Sequence, residues 1–271
     1  MVKALLHHRR FIWQSALAEL RHRYAGTGLG VVWNVLHPLA LIAIYSVVFS
    51  ALMRAQLPPG AGAGAGGGRF AYVLYLCSGL LPWLAFAECV TRGAGAFTDN
   101  ATYLRKLPIP EQVFVAKAAA SAALGLAISF ALLLLVAPLL GLRLRPQWAL
   151  LPVALASTQV LGFALGLLLG TLNVFFRDVG QLLGIALQVI LWTVPVVYVA
   201  DESVLPAWFV NALRWHPLYP PLEAVRHWFL GMPLRLSPAA LWAGMVAWPG
   251  AALLLAGAVF ARLRHEIRDV L

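Results

Sequence analysis

Charged side chains are scarce in this sequence. Asp, Glu, Lys and Arg make up 11% of its 271 residues, whereas hydrophobic residues make up 62%. About a quarter of the residues of a soluble domain are charged, and a mean hydropathy of +0.83 over such a chain exceeds what one soluble core can bury. The composition therefore excludes an ordinary soluble protein and indicates that a lipid bilayer surrounds most of the chain.

Sequence motifs of enzymes and metalloproteins are also absent. No glycine-rich loop ends in Lys-Ser or Lys-Thr, so we do not expect this chain to bind ATP. No His-Glu-x-x-His motif or cysteine cluster predicts a metal site, and we expect no cofactor. Glu88 is the one acidic residue inside the long apolar segments. That argues against ion-coupled transport, which needs ionisable groups near the bilayer midplane, and leaves a membrane-embedded glycosyl- or acyltransferase as a more distant alternative.

The two cysteines, Cys77 and Cys89, lie in one apolar run. On a helix they are about 18 Å apart, which is beyond the reach of a disulfide. We therefore expect them to be packing residues.

The net charge of +10 does not indicate nucleic-acid binding. The basic residues stand at the ends of apolar segments, as they do in membrane proteins, and not along one polar face. The first 24 residues hold five Lys and Arg, and the last ten hold Arg262, Arg264 and Arg268. Both termini are therefore predicted to be cytoplasmic, which requires an even number of spans.

Six apolar segments predict six transmembrane helices, each long enough to cross about 30 Å of hydrocarbon. They are residues 31–53, 70–90, 118–140, 148–172, 179–200 and 239–260. The apolar stretch 204–230 is interrupted by four prolines, so we expect two short re-entrant helices on the outer side. The fold class is an all-α polytopic membrane protein.

The N-terminal residues 1–24 have apolar side chains at helical spacing together with five basic residues. This pattern is typical of an amphipathic helix in the cytoplasmic membrane interface. We divide the chain into this interface helix, residues 1–30, and a six-helix transmembrane domain, residues 31–271. The Ala/Gly stretch 60–68 is predicted to be a flexible outer loop.

Two side-chain patterns lie within the predicted spans. Tyr72, Tyr75, Trp83 and Phe86 fall within a sector of about 80° on the second span. Such a face suits stacking against sugar rings, but ordinary interhelical packing is an equally simple explanation. Gly162, Gly166 and Gly170 form a ridge on the fourth span at which another helix can approach closely, and packing within the subunit is favoured over a dimer contact.

Longer stretches of the sequence resemble the membrane subunit of one transporter family, over almost the whole chain and in order. They read ELRHRYAGTGLGVVWNVLHPLALIAIYSVVFS (19–50), LCSGLLPWLAF (76–86), YLRKLPIP (103–110), GTLNVFFRDVGQLLG (170–184), TVPVVY (193–198) and FARLRHEIRDVL (260–271). The family is that of the O-antigen or lipopolysaccharide ABC exporters, the Wzm-like permeases of the type 2 ABC exporter class.

The resemblance implies a homodimer in the inner membrane, with six helices per subunit and two separate nucleotide-binding subunits that supply ATP hydrolysis. The implied cargo is a polysaccharide on undecaprenyl pyrophosphate. The same class also exports capsule, teichoic acids and some drugs. Two departures from the family are His216-Pro217, where Asn-Pro is usual, and the Ala/Gly stretch 60–68.

On this interpretation the aromatic residues of the second span line the glycan path. Basic residues near the cytoplasmic entrance are candidates for binding the lipid pyrophosphate, because guanidinium groups match phosphate oxygens; they are Arg21, Arg23, Arg92 and Arg177. Candidates for docking the ATPase are Asp99, Arg105, Lys106 and Asp178. For Arg177 and Asp178 a local salt bridge that caps the fifth span is an equally good alternative.

Overall fold

A computed structural model of the protein describes residues 2–23, 26–52, 70–106, 108–200 and 205–270. Within these ranges the regular structure is helical, as predicted, and the stretch 60–68 lies outside them. The helices are α1 (Val2–His7), α2 (Arg9–His22), α3 (Trp33–Tyr45), α4 (Ala71–Asp99), α5 (Ala101–Lys106), α6 (Gln112–Val136), α7 (Leu151–Phe175), α8 (Val179–Thr193), α9 (Ala207–Leu213), α10 (Tyr219–Leu230) and α11 (Pro238–Val270).

Four of the described helical segments are long and apolar enough to cross a membrane. They are Ala71–Asp99, Gln112–Val136, Pro146–Phe175 and Pro238–Ile267. The segments Trp33–Phe49 and Val179–Thr193 are apolar but shorter, and a perpendicular span needs about 20 residues. An α-helical membrane protein is therefore confirmed, while the number of six spans stays a prediction.

Helix α4 is longer than the sequence predicted, since it runs to Asp99 and not to residue 90. Its last turns bury Gly93, Ala94 and Phe97, so tertiary packing continues the helix beyond the apolar segment. The connection between the second and third predicted spans is therefore shorter than hydropathy indicates. Arg92 lies within α4, and the short helix α5 occupies much of the connection.

The N-terminal segment forms two helices, where one had been predicted. Helices α1 and α2 are separated at His8. Ala16 and Leu20 of α2 are buried, and α2 packs against α6. Leu6 and Trp13 remain 61% and 54% exposed, as expected for an amphipathic helix with an apolar side available to lipid.

The centre of the bundle is the contact between α4 and α7, which is built on glycines. A Cβ atom on Gly93 would lie 2.6 Å from the Cα of Gly166, and one on Gly170 would lie 2.5 Å from the carbonyl oxygen of Gly93. The two backbones therefore touch, which side chains at these positions would prevent. The predicted use of the glycine ridge for packing within the subunit is confirmed.

The stretch 204–230 contains the two short helices α9 and α10 that its prolines predicted. Pro206 occupies the N-cap position of α9, and Pro220 lies in the first turn of α10, where the missing N–H costs no hydrogen bond. Helix α10 ends at Gly231, whose φ of 74° is left-handed. Almost all of α10 is buried against α4, α7 and α11. Its re-entrant position in the membrane stays a prediction.

Candidate functional site

Arg226 of α10 is a buried cation at the N-terminal half of α4. Its guanidinium carbon lies 3.7 Å from the ring centroid of Tyr75, and its Nη2 donates a hydrogen bond of 3.0 Å to the carbonyl oxygen of Val196. Gly79 makes room for it, because a Cβ there would lie 3.0 Å from Nη2. The positive charge is thus stabilised by a ring face and a carbonyl, without an ion pair among the described residues.

The chain that follows α8 leaves the helical conformation, and three side chains bind its carbonyl groups. The hydroxyl of Tyr72 donates to Val197 and that of Tyr75 donates to Tyr198, each at 2.7 Å. With the bond from Arg226 to Val196, three consecutive carbonyls are satisfied. A non-helical segment inside a membrane domain requires such partners, so we name this group of contacts the carbonyl clamp.

Glu223, three residues before Arg226, binds the backbone of a different connection, the one between α10 and α11. Its Oε1 accepts hydrogen bonds from the backbone N–H groups of Arg235 and Leu236, the latter at 3.0 Å. These residues precede α11, so α10 holds both the chain after α8 and the chain before α11. Neither charged residue had a role predicted from the sequence, although two charges one helical turn apart in an apolar stretch are a usable signal.

The four aromatic residues predicted to line the glycan path all lie on α4, and three of them are buried in the subunit. Tyr75, Trp83 and Phe86 are 1%, 6% and 2% exposed, while Tyr72 is half-buried. Tyr72 and Tyr75 belong to the carbonyl clamp. Trp83 packs among residues of α7, α8 and α10, and Phe86 contacts Gly162 of the glycine ridge. Their part in a glycan path stays a prediction.

His216 makes the side-chain hydrogen bond that an asparagine would make in the turn between α9 and α10. Its Nδ1 accepts a hydrogen bond of 3.2 Å from the backbone N–H of Leu218, two residues further on, which is the contact that an asparagine side chain makes in an Asx turn. Burial lowers the pKa of His216, which favours the neutral ring that this contact needs. The departure from the usual Asn-Pro therefore preserves the turn between α9 and α10.

The opposite half of α4 carries a network of ion pairs. Arg92 pairs with Glu19 of α2 and, at 3.1 Å, with Glu88 one turn earlier on α4. Glu88 also pairs with Arg23, and Lys117 of α6 lies 3.8 Å from Glu19. All five side chains are between 23% and 32% exposed. The network, which we call the α2 anchor, ties the N-terminal helix to α4 and α6.

Two of the four predicted pyrophosphate contacts are thus engaged elsewhere. Arg23 and Arg92 bind carboxylates in the α2 anchor. Arg21 and Arg177 are exposed and form no ion pair with any described residue. The structure therefore divides the predicted set into two anchoring residues and two cations available to an anionic ligand.

The predicted docking residues lie at one end of the bundle. Asp99 ends α4, and Arg105 and Lys106 end α5; all three are exposed. Arg177 lines a cavity of about 410 Å³ together with Thr98, the neighbour of Asp99. This end of the subunit therefore presents charged side chains from three connections, as a docking surface requires.

Asp178 occupies the N-cap position of α8, but its carboxylate makes no capping hydrogen bond. No ion pair with Arg177 is present among the described residues either. The described residues thus show no capping hydrogen bond and no salt bridge of this pair, although Asp178 stands at the positive N-terminus of α8. No group of three or more His, Cys, Asp and Glu residues suitable for a metal occurs in the described part of the chain.

Known proteins resemble this chain over most of its length. The family model described as ABC-2 type transporter matches residues 10–230. An O-antigen export system permease protein, RfbA, from Klebsiella pneumoniae is 24% identical over 93% of this chain and 92% of its own. The protein of the same name from Myxococcus xanthus is 28% identical over 75% of each chain. The polysialic acid transport protein KpsM of Escherichia coli is 23% identical over 78% of this chain and 77% of its own.

Proposed function

The chain belongs to the ABC-2 type transporter family, and on this premise we propose that it is the permease subunit of an ATP-driven polysaccharide exporter. The observation that carries the proposal is the similarity to an O-antigen export permease over 93% of this chain and 92% of the relative. The family match over residues 10–230 includes the short pair α9 and α10. The cargo we propose is an O-antigen type polysaccharide on undecaprenyl pyrophosphate.

We further propose that two copies of this chain form the channel in the inner membrane, with both termini in the cytoplasm. Helix α8 supports a second copy, because only Leu183 of its residues is buried in the subunit. Apolar side chains such as Ile185 and Trp192 are 65% and 61% exposed, and this surface is available to another subunit or to lipid. The half-buried Tyr72 is the aromatic residue of the predicted path with the most accessible ring.

Separate nucleotide-binding subunits supply ATP hydrolysis in this proposal, because the chain has no phosphate-binding loop. They dock on Asp99, Arg105, Lys106 and Asp178, which are exposed at one end of the bundle. Charge reversal at Arg105 should weaken co-purification with the cognate ATPase. Arg143, which is also exposed but lies in the connection between α6 and α7, is the matched control. Equal loss for both reversals would contradict this docking surface.

For the lipid pyrophosphate we propose Arg21 and Arg177 as the contacts, and Arg23 and Arg92 as residues that position α2. The distinction rests on the carboxylates that already pair with Arg23 and Arg92. A guanidinium group without a carboxylate partner retains its donors for phosphate oxygens.

The test of the function is deletion of the gene and complementation with the wild-type chain. In the deletion strain, lipid-linked polysaccharide should accumulate inside the cell and disappear from the surface, and complementation should reverse both effects. A strain that produces the chain with an inactive partner ATPase should behave like the deletion. Export that continues with the inactive ATPase would contradict the proposal.

A second cargo, capsular polysaccharide, is favoured by the similarity to the polysialic acid transport protein. The two cargoes are distinguished by identifying the lipid on the accumulated polysaccharide by mass spectrometry. Undecaprenyl pyrophosphate supports the O-antigen type cargo, and a different lipid would favour capsule.

A further inference from the structure

A groove of about 790 Å³ runs along α11 beside α9 and α10. It is separate from the carbonyl clamp and from the α2 anchor. On the α11 side its wall consists of small residues at helical spacing; they are Ala240, Ala243, Gly244, Ala247 and Ala251. Pro220 of α10 closes the floor at Gly244, where a Cβ atom would lie 2.5 Å from the proline ring.

The length of this groove matches one leaflet of a bilayer. From Ala240 to Ala251 the helix rises about 16 Å, which is about half of a hydrocarbon core of about 30 Å. The alanines on this face are exposed, and small side chains leave a channel in a surface that larger apolar residues such as Val246 and Leu254 otherwise cover. An extended hydrocarbon chain fits these dimensions and this polarity.

The mouth of the groove is positively charged. Arg214 and Arg235 both line it and are exposed, and neither guanidinium forms an ion pair with a described residue. None of the described residues that line the groove is acidic. Trp215, the chain neighbour of Arg214, also lines the groove, and tryptophan prefers the depth of lipid headgroups. A mouth of this composition suits a negative group at the membrane surface.

We propose that this groove binds one anionic phospholipid, with its phosphate between Arg214 and Arg235 and one acyl chain along α11. Free phosphate does not account for the apolar wall, and an uncharged lipid does not account for the paired arginines. The backbone N–H of Arg235 is bonded to Glu223. A lipid phosphate bound to the guanidinium of Arg235 therefore strengthens the connection between α10 and α11.

Native mass spectrometry of the purified chain, released from detergent micelles, tests this site. Phosphatidylglycerol, phosphatidylcholine and inorganic phosphate are titrated separately. The expected result is one tightly bound phosphatidylglycerol, bound about tenfold more weakly by the double variant Arg214→Gln with Arg235→Gln, because charge-assisted hydrogen bonds are lost. Ala247→Leu, which fills the groove, should weaken binding as well.

Two variants outside the groove serve as controls and should bind the lipid like the wild type. Ala258→Leu adds the same bulk at an exposed position of α11, and Arg262→Gln removes an exposed charge from the same helix. Equal affinity for phosphatidylcholine, competition by inorganic phosphate, or unchanged lipid binding in the groove variants would each overturn the proposal. The proposal would also be overturned if two chains associated without lipid and Ala247→Leu disrupted this association. A second subunit would then occupy the groove.

Discussion

Helices α7 and α8 follow one another in the chain, and both are apolar, but the subunit uses them differently. Thirteen of the 25 residues of α7 are buried, whereas one of the 15 residues of α8 is buried. This difference in burial comes from small residues, because the glycine ridge of α7 allows the backbones of α7 and α4 to touch. Gly184 of α8 has no atom within 4 Å of where its Cβ would be.

Hydropathy alone does not bring membrane helices together. Lipid tails are as apolar as leucine, so apolar surface gains nothing by leaving them, and close packing decides which helices associate. Helix α8 therefore keeps a free apolar face, which a second subunit or lipid covers in the proposed channel.

The largest effect is expected from Gly166→Leu on α7. Even its Cβ atom would lie 3.1 Å from the Cα of Gly93, so the side chain has to push two backbones apart, and overpacking of this kind costs at least about 1–3 kcal/mol. The midpoint of thermal unfolding in detergent should fall steeply. Gly184→Leu is the matched control and should leave it nearly unchanged. Equal stability of the two variants would show that the glycine contact is not what binds α7.

A smaller loss is expected from Leu183→Ala on α8. Leu183 is 8% exposed, while its neighbour Leu182 is 63% exposed. Removing the packed side chain should lower the unfolding free energy by about 2 kcal/mol, and Leu182→Ala should change it by much less. The two variants are compared by denaturant unfolding in micelles. A larger loss for Leu182→Ala would mean that the free face of α8 is packed within the folded protein.

Asn173, close to the end of α7, should contribute less to the free energy of unfolding than Leu183. Its Nδ2 donates a hydrogen bond of 3.0 Å to the carbonyl oxygen of Ala94, so Asn173→Ala should cost about 1 kcal/mol. Gln181→Ala on α8 removes an exposed amide and should cost nothing measurable. The comparison uses the same unfolding experiment, and equal costs would contradict a specific role of this bond.

The smallest effect on stability, and the most specific effect on function, is expected from Arg177→Lys in the link between α7 and α8. The side chain is exposed and unpaired among the described residues, so thermal unfolding should not change. Export should fall, because lysine cannot present two parallel donors to phosphate or carboxylate. Arg143→Lys is the control. Wild-type export by both Arg177→Lys and Arg177→Ala would rule out a functional contact.

Several features of the fold were predictable because their signals are local. Proline placed the breaks at α9 and α10, and the spacing of Gly162, Gly166 and Gly170 indicated a close helix contact. The length of α4 was not predictable from hydropathy, since its last turns are held by packing against α7 and not by lipid. The division of α2 from α1 at His8 has no comparable signal in the sequence.

The roles of the charged residues were harder to predict. Arg23 and Arg92 were recognised as cations at one end of the bundle, but their carboxylate partners were not. The partners Glu19 and Arg92 are 73 residues apart in the chain, and no local pattern relates them. The same holds for Arg226 and Tyr75, whose contact depends on how α10 packs against α4.

Composition was enough to predict that this protein is helical and resides in a membrane, because the share of apolar and charged residues reports those properties directly. The folded structure was needed to show which arginines form ion pairs among the described residues, which helix the glycine ridge contacts, and where α11 forms a charged groove. These properties depend on contacts between residues distant in the chain. In a membrane such contacts follow from the fit of helix surfaces, since hydrophobicity does not distinguish one apolar helix from another.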